Sequence, residues 1–168
     1  PVGITRTQCG KDISMSAKQV GEQAPAFTAK DQFGQEVTLT GLTGDKATLL
    51  VFYPFAFSGI CTGELCSIRD DISRFVNDKV QVVGISCDPI FTQRAWAEDQ
   101  GYDFPLLSDF WPHGDTARAY GVFNEDRGYA NRGTFLVDRD GAIVFADMVG
   151  PGEVRENAVW DKALGVIG

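Results

Sequence analysis

An α/β fold, with a mixed central sheet flanked by helices, is what this sequence predicts, and three observations carry the prediction. Two continuous apolar runs, residues 48–53 and 80–86, have the β-branched and aromatic content of strands buried on both faces. Between them Leu65, Ile68, Ile72 and Phe75 recur at helical spacing, with Glu64, Arg69, Asp70 and Asp71 interleaved. Turn signals bounded by strand-like runs stand near both ends, at Asp31-Gln32-Phe33-Gly34 and at Asp138-Arg139-Asp140-Gly141.

The elements follow in order. Residues 1–22 are polar and aperiodic and read as a tail; Met15, followed by Ser16-Ala17-Lys18, reads as an alternative start that would leave 1–14 outside the native chain. Residues 23–168 read as one domain, long enough to bury a core without staples. It opens with an N-terminal β-hairpin, residues 26–29 and 36–39. The buried strand 48–53 is followed by an amphipathic helix from Cys61 through Phe75, and 80–86 is the second buried strand. Residues 91–100 read as a helix stopped by Gly101, 104–107 as a short strand, and 116–120 as a short helix stopped by Gly121. A second hairpin, 134–137 with 142–146, and a closing amphipathic helix, 154–166, complete the chain. Strands separated by helices imply a mainly parallel sheet covered on both faces, with antiparallel strands added by the hairpins.

Composition excludes several functions. The net charge is −8, from 15 Lys+Arg against 23 Asp+Glu, and no basic cluster interrupts it. Nucleic acids and anionic membranes select basic patches, so neither is an expected partner. The longest apolar stretch, 47–57, is too short for a bilayer and contains Pro54. The first twenty residues lack the apolar core of a signal peptide, so a cytoplasmic location is expected. The four cysteines at 9, 61, 66 and 87 are too few for a disulfide scaffold, which leaves structural, catalytic or redox roles. They show no paired metal-ligand spacing, alone or with His113, so neither a metal nor another cofactor is expected.

The chemistry concentrates where the first buried strand turns into the helix. Ser58 is a natural N-cap, which puts Cys61 at the third helical position. Unpaired N–H groups and the positive end of the helix dipole favour an anion there, and a thiolate is such an anion. Cysteines elsewhere are more often inert and buried. Cys87, at the end of a core strand, reads as a small buried residue, and Cys9 as an incidental thiol in the tail. His113, the only histidine, carries no Cys-His hydrolase signature. Phe110, Trp111 and Trp160 read as packing residues, and an aromatic patch near Phe55, Phe57 and Phe110 as a candidate subunit interface.

Pro54-x-x-x-Ser58-x-x-Cys61 resembles the Pro-x-x-x-Thr/Ser-x-x-Cys motif of peroxiredoxins. The resemblance continues through Gly63-Glu64-Leu65, Phe104-Pro105-Leu106-Leu107-Ser108-Asp109 and Arg132-Gly133-Thr134-Phe135. Ser108-Asp109-Phe110-Trp111-Pro112-His113-Gly114, Tyr120-Gly121-Val122-Phe123-Asn124-Glu125 and Pro151-Gly152-Glu153-Val154-Arg155 are similar to the actinobacterial alkyl hydroperoxide reductase E type. The match spans about residues 20–168. It implies a thioredoxin-like fold and a thiol-dependent peroxidase acting on hydrogen peroxide, alkyl hydroperoxides and, as a further candidate, peroxynitrite. By resemblance Cys61 is the attacking thiolate, Ser58 bonds thiolate and peroxide, and Pro54 shields the sulfur. Arg132 holds the sulfur's charge, and Glu64 orients Arg132. The resemblance also implies a homodimer or larger homo-oligomer, and an external thiol reductant of thioredoxin, mycoredoxin or mycothiol type.

Cys66 departs from the alkyl hydroperoxide reductase E type, which has one catalytic cysteine. Its C-x-x-x-x-C spacing resembles the peroxiredoxin Q type, where the second cysteine resolves the sulfenic acid into a disulfide. On a helix these two Cα atoms stand about 8 to 9 Å apart, beyond the usual disulfide reach of about 4.4–6.8 Å. Resolution would therefore require the helix start to unwind; otherwise Cys66 is an apolar helix residue. Two other functions compete, a thioredoxin-like thiol-disulfide oxidoreductase and a peroxide sensor. The first expects Cys-x-x-Cys, but Glu64 occupies the second cysteine's place.

Overall fold

The computed structural model describes residues 16–168. Cys9, the start signal at Met15 and most of the segment read as a tail lie outside the described residues. Residues 16–22 run along the body of the domain: Lys18 N–H donates to Tyr120 O at 3.0 Å, and Ile143 N–H to Glu22 O at 2.9 Å.

The first hairpin pairs β1 (Thr28–Lys30) with β2 (Glu36–Thr38), and the chain passes directly into a short helix, α1 (Leu39–Thr43). The sequence reading missed α1, because Leu39 and Leu42 continue the apolar pattern of a strand end; Thr38 caps the helix through Gly41 N–H at 3.1 Å. Next come β3 (Ala47–Phe52), α2 (Gly59–Asp70), a single turn α3 (Ile72–Phe75), β4 (Val80–Ser86) and α4 (Ile90–Gln100). The helix expected through Phe75 breaks at Asp71, whose backbone leaves the helical region at φ −125° and ψ 40°. Aspartate competes poorly inside helices, since its short carboxylate favours local bonds, and here it pairs with Arg74 at 3.3 Å. Gly101 ends α4 in the left-handed conformation, φ 70°.

Then follow β5 (Leu106–Ser108), α5 (Asp115–Ala119), a small ribbon of β6 (Phe123–Asn124) with β7 (Tyr129–Ala130), the second hairpin of β8 (Arg132–Val137) with β9 (Ile143–Val149), and α6 (Asn157–Gly165). The ribbon carries no alternation legible in the sequence, its strands being two residues each. The last helix starts three residues later than its periodicity suggested, at 157 instead of 154, because residue 155 is drawn inward by a tertiary bond described below.

The sheet order is β2-β1-β5-β4-β3-β8-β9. Only β5, β4 and β3 are mutually parallel; the strands on either side are antiparallel, so the sheet is mixed, with parallel pairing confined to its centre. The continuous apolar run of β3 follows from burial on both faces. Leu49 and Val51 face one core, with Leu65, Ile68, Phe75, Trp96 and Trp160 from α2, α3, α4 and α6. Leu50 and Phe52 face the other, with Leu39 and Leu42 from α1, Ala117 from α5 and Tyr120 just after it. Because β8 runs antiparallel to β3, with Thr134 opposite Val51, the first residue of β8 lies at the end of the sheet where β3 hands over to α2. That brings residue 132 to residue 61. No helix among the described residues is long and apolar enough to cross a membrane.

Candidate active site

The helix cap forms as the sequence suggests. Ser58 is the N-cap of α2, its Oγ accepting from Cys61 N–H at 3.4 Å, so Cys61 occupies the third helical position. The side chain of Cys61 is fully buried. The chain enters this cap through an unusual residue: Phe57 has φ +65°, a left-handed conformation that costs a bulky L-residue on the order of 1–3 kcal/mol. Its ring is half exposed and lies 6.3 Å from the buried Trp96 ring.

Arg132 reaches Cys61 from β8. Its Nη1 donates to Cys61 Sγ at 3.3 Å and to Glu64 Oε2 at 2.8 Å, while Nε donates to Pro151 O at 3.1 Å. Arg132 is 2% exposed and Glu64 4%, so the pair is held out of water. Glu64 lies one helical turn beyond Cys61 and presents its carboxylate to the arginine that touches the sulfur. The sequence-derived set of Cys61, Ser58, Arg132 and Glu64 thus forms one connected cluster. Pro54 is buried and, with Ser58 and Arg132, lines a pocket of about 550 Å³ whose other walls include Phe55, Ile60, Asn124, Arg127, Tyr129 and Pro151. Phe55 meets Tyr129 edge to face at 5.0 Å, joining the loop before α2 to the β6–β7 ribbon.

A second buried arginine completes the cluster. Arg155, 2% exposed, donates its backbone N–H to Glu64 Oε1 at 2.8 Å and places Nη2 3.8 Å from Glu64 Oε2. The same Nη2 donates to Phe52 O, and the guanidinium stands 5.6 Å from the Trp160 ring centre. Burial depresses its pKa to about 10; Glu64 works against that and Arg132 adds to it. Arg155 remains a cation at neutral pH, so Glu64 carries two guanidinium groups. The sequence held this residue inside a family-like motif, but a charged residue in a loop carries no periodicity to announce burial.

Cys66 lies on an intact α2, with free thiols at 61 and 66. Its Sγ is half-buried, donates to Gln100 Oε1 at 3.4 Å and lies 3.6 Å from Tyr102 Oη. Cys87 is buried, 6% exposed, and burial first, then Asp109 and Asp88, push its pKa up to about 12. Both ring nitrogens of His113 are engaged by backbone carbonyls: Nδ1 is 3.1 Å from Phe110 O and Nε2 2.7 Å from Gly128 O. Trp160 is buried as expected, but Phe110 and Trp111 are not packing residues, being 50% and 83% exposed.

Comparison with known proteins gives the family and the fold. Residues 20–146 match the model of the AhpC/TSA family. Alkyl hydroperoxide reductase E of Mycobacterium bovis is 55% identical over 148 residues, covering 88% of this chain and 97% of that protein. The chloroplastic 2-Cys peroxiredoxin BAS1 of Spinacia oleracea is 34% identical over 134 residues, covering 74% of this chain and 50% of that one. Among solved structures, peroxidoxin BcpB from Mycobacterium tuberculosis superposes with a TM-score of 0.77 at 34% identity, covering 88% of this chain and 95% of its own. AhpC of Enterococcus faecalis does so with a TM-score of 0.79 at 26% identity, covering 90% and 92%. The family model and the relatives each span most of a chain with this fold, so the chain belongs to the AhpC/TSA family of peroxiredoxins.

Proposed function

We propose that Cys61 is the thiolate through which this chain reduces peroxides, with Ser58, Pro54, Arg132 and Glu64 as its immediate machinery. The chain is a thiol-dependent peroxidase, an oxidoreductase that takes a peroxide and a thiol reductant as substrates. The observation that carries the residue assignment is Arg132 Nη1, which bonds both Cys61 Sγ and the Glu64 carboxylate.

The sulfur attacks the terminal peroxide oxygen. An S–O bond forms, the O–O bond breaks, and the alcohol or water leaves with a proton; sulfur is oxidised to a sulfenic acid and the peroxide is reduced. Negative charge grows on the leaving oxygen. Arg132 lines the pocket, and its Nη2 makes no hydrogen bond among the described residues, so it is a donor available to that oxygen. Ser58 accepts from Cys61 N–H through Oγ, which leaves its hydroxyl hydrogen for thiolate or peroxide. Pro54 covers the sulfur without offering an N–H of its own.

The Cys66 thiol then condenses with the sulfenic acid, releasing water and forming a Cys61–Cys66 disulfide, and an external thiol reductant reduces that disulfide by thiol-disulfide exchange to restore both thiols. The reductant is of thioredoxin, mycoredoxin or mycothiol type, and the enzyme works in the cytoplasm as a homodimer or larger homo-oligomer. Cys66 is the candidate resolving cysteine, five residues on from Cys61 in the same helix. Stopped-flow oxidation by hydrogen peroxide and an alkyl hydroperoxide tests the assignment. Cys61→Ser should abolish turnover, and undiminished reduction by that variant would remove Cys61 from the mechanism. In Cys66→Ser the sulfenic acid should persist after one equivalent of peroxide, whereas the parent chain should lose two hydrogens into a Cys61–Cys66 disulfide.

A further inference from the structure

The loop between β3 and α2 carries Pro54 and delivers Ser58 and Cys61, yet little of it belongs to regular structure. Besides the ring contacts of Phe55 and Phe57, one side chain outside it hydrogen-bonds its backbone among the described residues. Asp88, in the turn after β4, accepts from Ala56 N–H through Oδ2 at 2.8 Å, and the same oxygen accepts from Ser86 Oγ at 2.7 Å. Ser86 is fully buried and is itself fixed by Gln93, whose Nε2 donates to Ser86 Oγ at 2.9 Å and to Leu107 O at 2.9 Å. Asp88 is anchored from its backbone too, since Ser108 Oγ donates to Asp88 O at 2.6 Å. The carboxylate therefore stands on β4, β5 and α4 and reaches across to one amide of the loop. The residue after that amide is the left-handed Phe57, so the bond restrains a segment whose own backbone preference is to relax.

Charge gives no reason for a carboxylate here. The Tyr53 phenol is fully buried, and after that burial the negative charges of Asp88 and Cys61 both raise its pKa further, so it senses the two groups together. A second anion near a thiolate works against the thiolate, so the contribution of Asp88 is geometric.

We propose that Asp88 is a positioning residue for peroxide reduction: its bond to Ala56 N–H clamps the strained 54–57 loop, and thereby sets Pro54 and Ser58 over the Cys61 sulfur. This rests on Cys61 being the reacting thiolate. Ser58 caps Cys61 through a bond of 3.4 Å, which is long, so small loop displacements suffice to lose it.

The test uses the full chain in reduced form. Amide hydrogen exchange, read without peroxide, reports the clamp; stopped-flow oxidation of Cys61 reports its consequence. Asp88→Ala should lose protection in the peptide containing residues 54–58 while β3 and β4 stay protected. Its second-order oxidation rate should fall about 10- to 100-fold, the size expected when reacting groups shift by an ångström. Asp88→Asn keeps an oxygen acceptor without charge and should recover most of both. Ser86→Ala leaves the carboxylate but removes one of its anchors; it should give the same loss of protection with a smaller fall in rate, and it serves if Asp88→Ala does not fold. Unchanged loop protection in Asp88→Ala and Ser86→Ala overturns the clamp whatever Cys61 does. Lost protection with an undiminished oxidation rate overturns its link to catalysis, as does an Asp88→Asn variant no better than Asp88→Ala.

Discussion

Glu64 keeps two guanidinium groups out of water at once, and that makes it the residue on which the site's electrostatics turn. Its carboxylate accepts from Arg132 Nη1 and from Arg155 N–H, with Arg155 Nη2 close by. Removing one partner of a buried ionic cluster leaves uncompensated charge, at a cost of about 3–5 kcal/mol. Glu64→Gln should therefore lower unfolding free energy by that order in urea titration. Arg132→Ala should slow Cys61 oxidation about 10²- to 10³-fold through loss of a preset donor. With Cys61 oxidation rate measured for both single variants and the double variant, the double should lose markedly less than the two single losses multiplied together, because the residues form one network. Additive effects would mean that Arg132 acts without Glu64. Cys87 makes a different kind of prediction. Its thiol is raised from an ordinary 9.0 to about 12. Below pH 9 it is protonated folded or unfolded; between 9 and 12 only the unfolded chain ionises it, so the stability it contributes is lost as pH rises through that window. Thermal melts from pH 8 to pH 11 should fall more steeply for the parent chain than for Cys87→Ala, and parallel curves would show that Cys87 is not the titrating group.

Helix α2 is where reactivity and flexibility meet. Gly63 lies inside it, two residues past Cys61, and a methyl group added there would meet nothing within 4 Å. Gly63→Ala should thus stiffen the helix start by about 1 kcal/mol with no steric penalty. If Cys66 resolves the sulfenic acid by unwinding this helix, disulfide formation should slow about fivefold, with more overoxidation to sulfinic acid. An unchanged rate in quenched-flow alkylation would mean that the disulfide does not depend on opening α2. The same helix shows what the sequence could and could not convey. Ser58, Cys61 and the strand before them are local, and spacing alone located the cap and the cysteine's place in it. Arg132 and Glu64 came only by resemblance, since nothing local says which of the fifteen basic residues lies under the sheet's end. Arg155 and Asp88 act through backbone amides, and a sequence carries no periodic signature for a bond from a side chain to a distant N–H. The β6–β7 ribbon, a wall of the pocket, is too short for any two-residue alternation to stand out.

At the scale of the molecule, one groove among the described residues is bordered by strongly exposed aromatic side chains. Phe91 and Trp111 are 78% and 83% exposed, and with Phe110, Pro89 and Ile90 they border a groove of about 490 Å³. Exposed aromatic groups of this kind mark association surfaces, in keeping with the proposed homo-oligomer. Sedimentation velocity at micromolar concentration should give a mass above the 18.3 kDa of one chain, and Trp111→Glu should weaken association by about 30-fold or more, as loss of a central aromatic anchor does. A single monomeric species in both redox states would count against it. The antiparallel placement of β8 beside β3 has one more consequence. A chain leaving the ribosome presents its residue 61 well before residue 132 has been joined to it. Until the later strand docks, that sulfur has no guanidinium beside it. On the proposed role of Arg132, a nascent or truncated copy that ends before residue 132 should react slowly with peroxide, so the reactive thiolate is assembled only when the chain is long enough to complete the site.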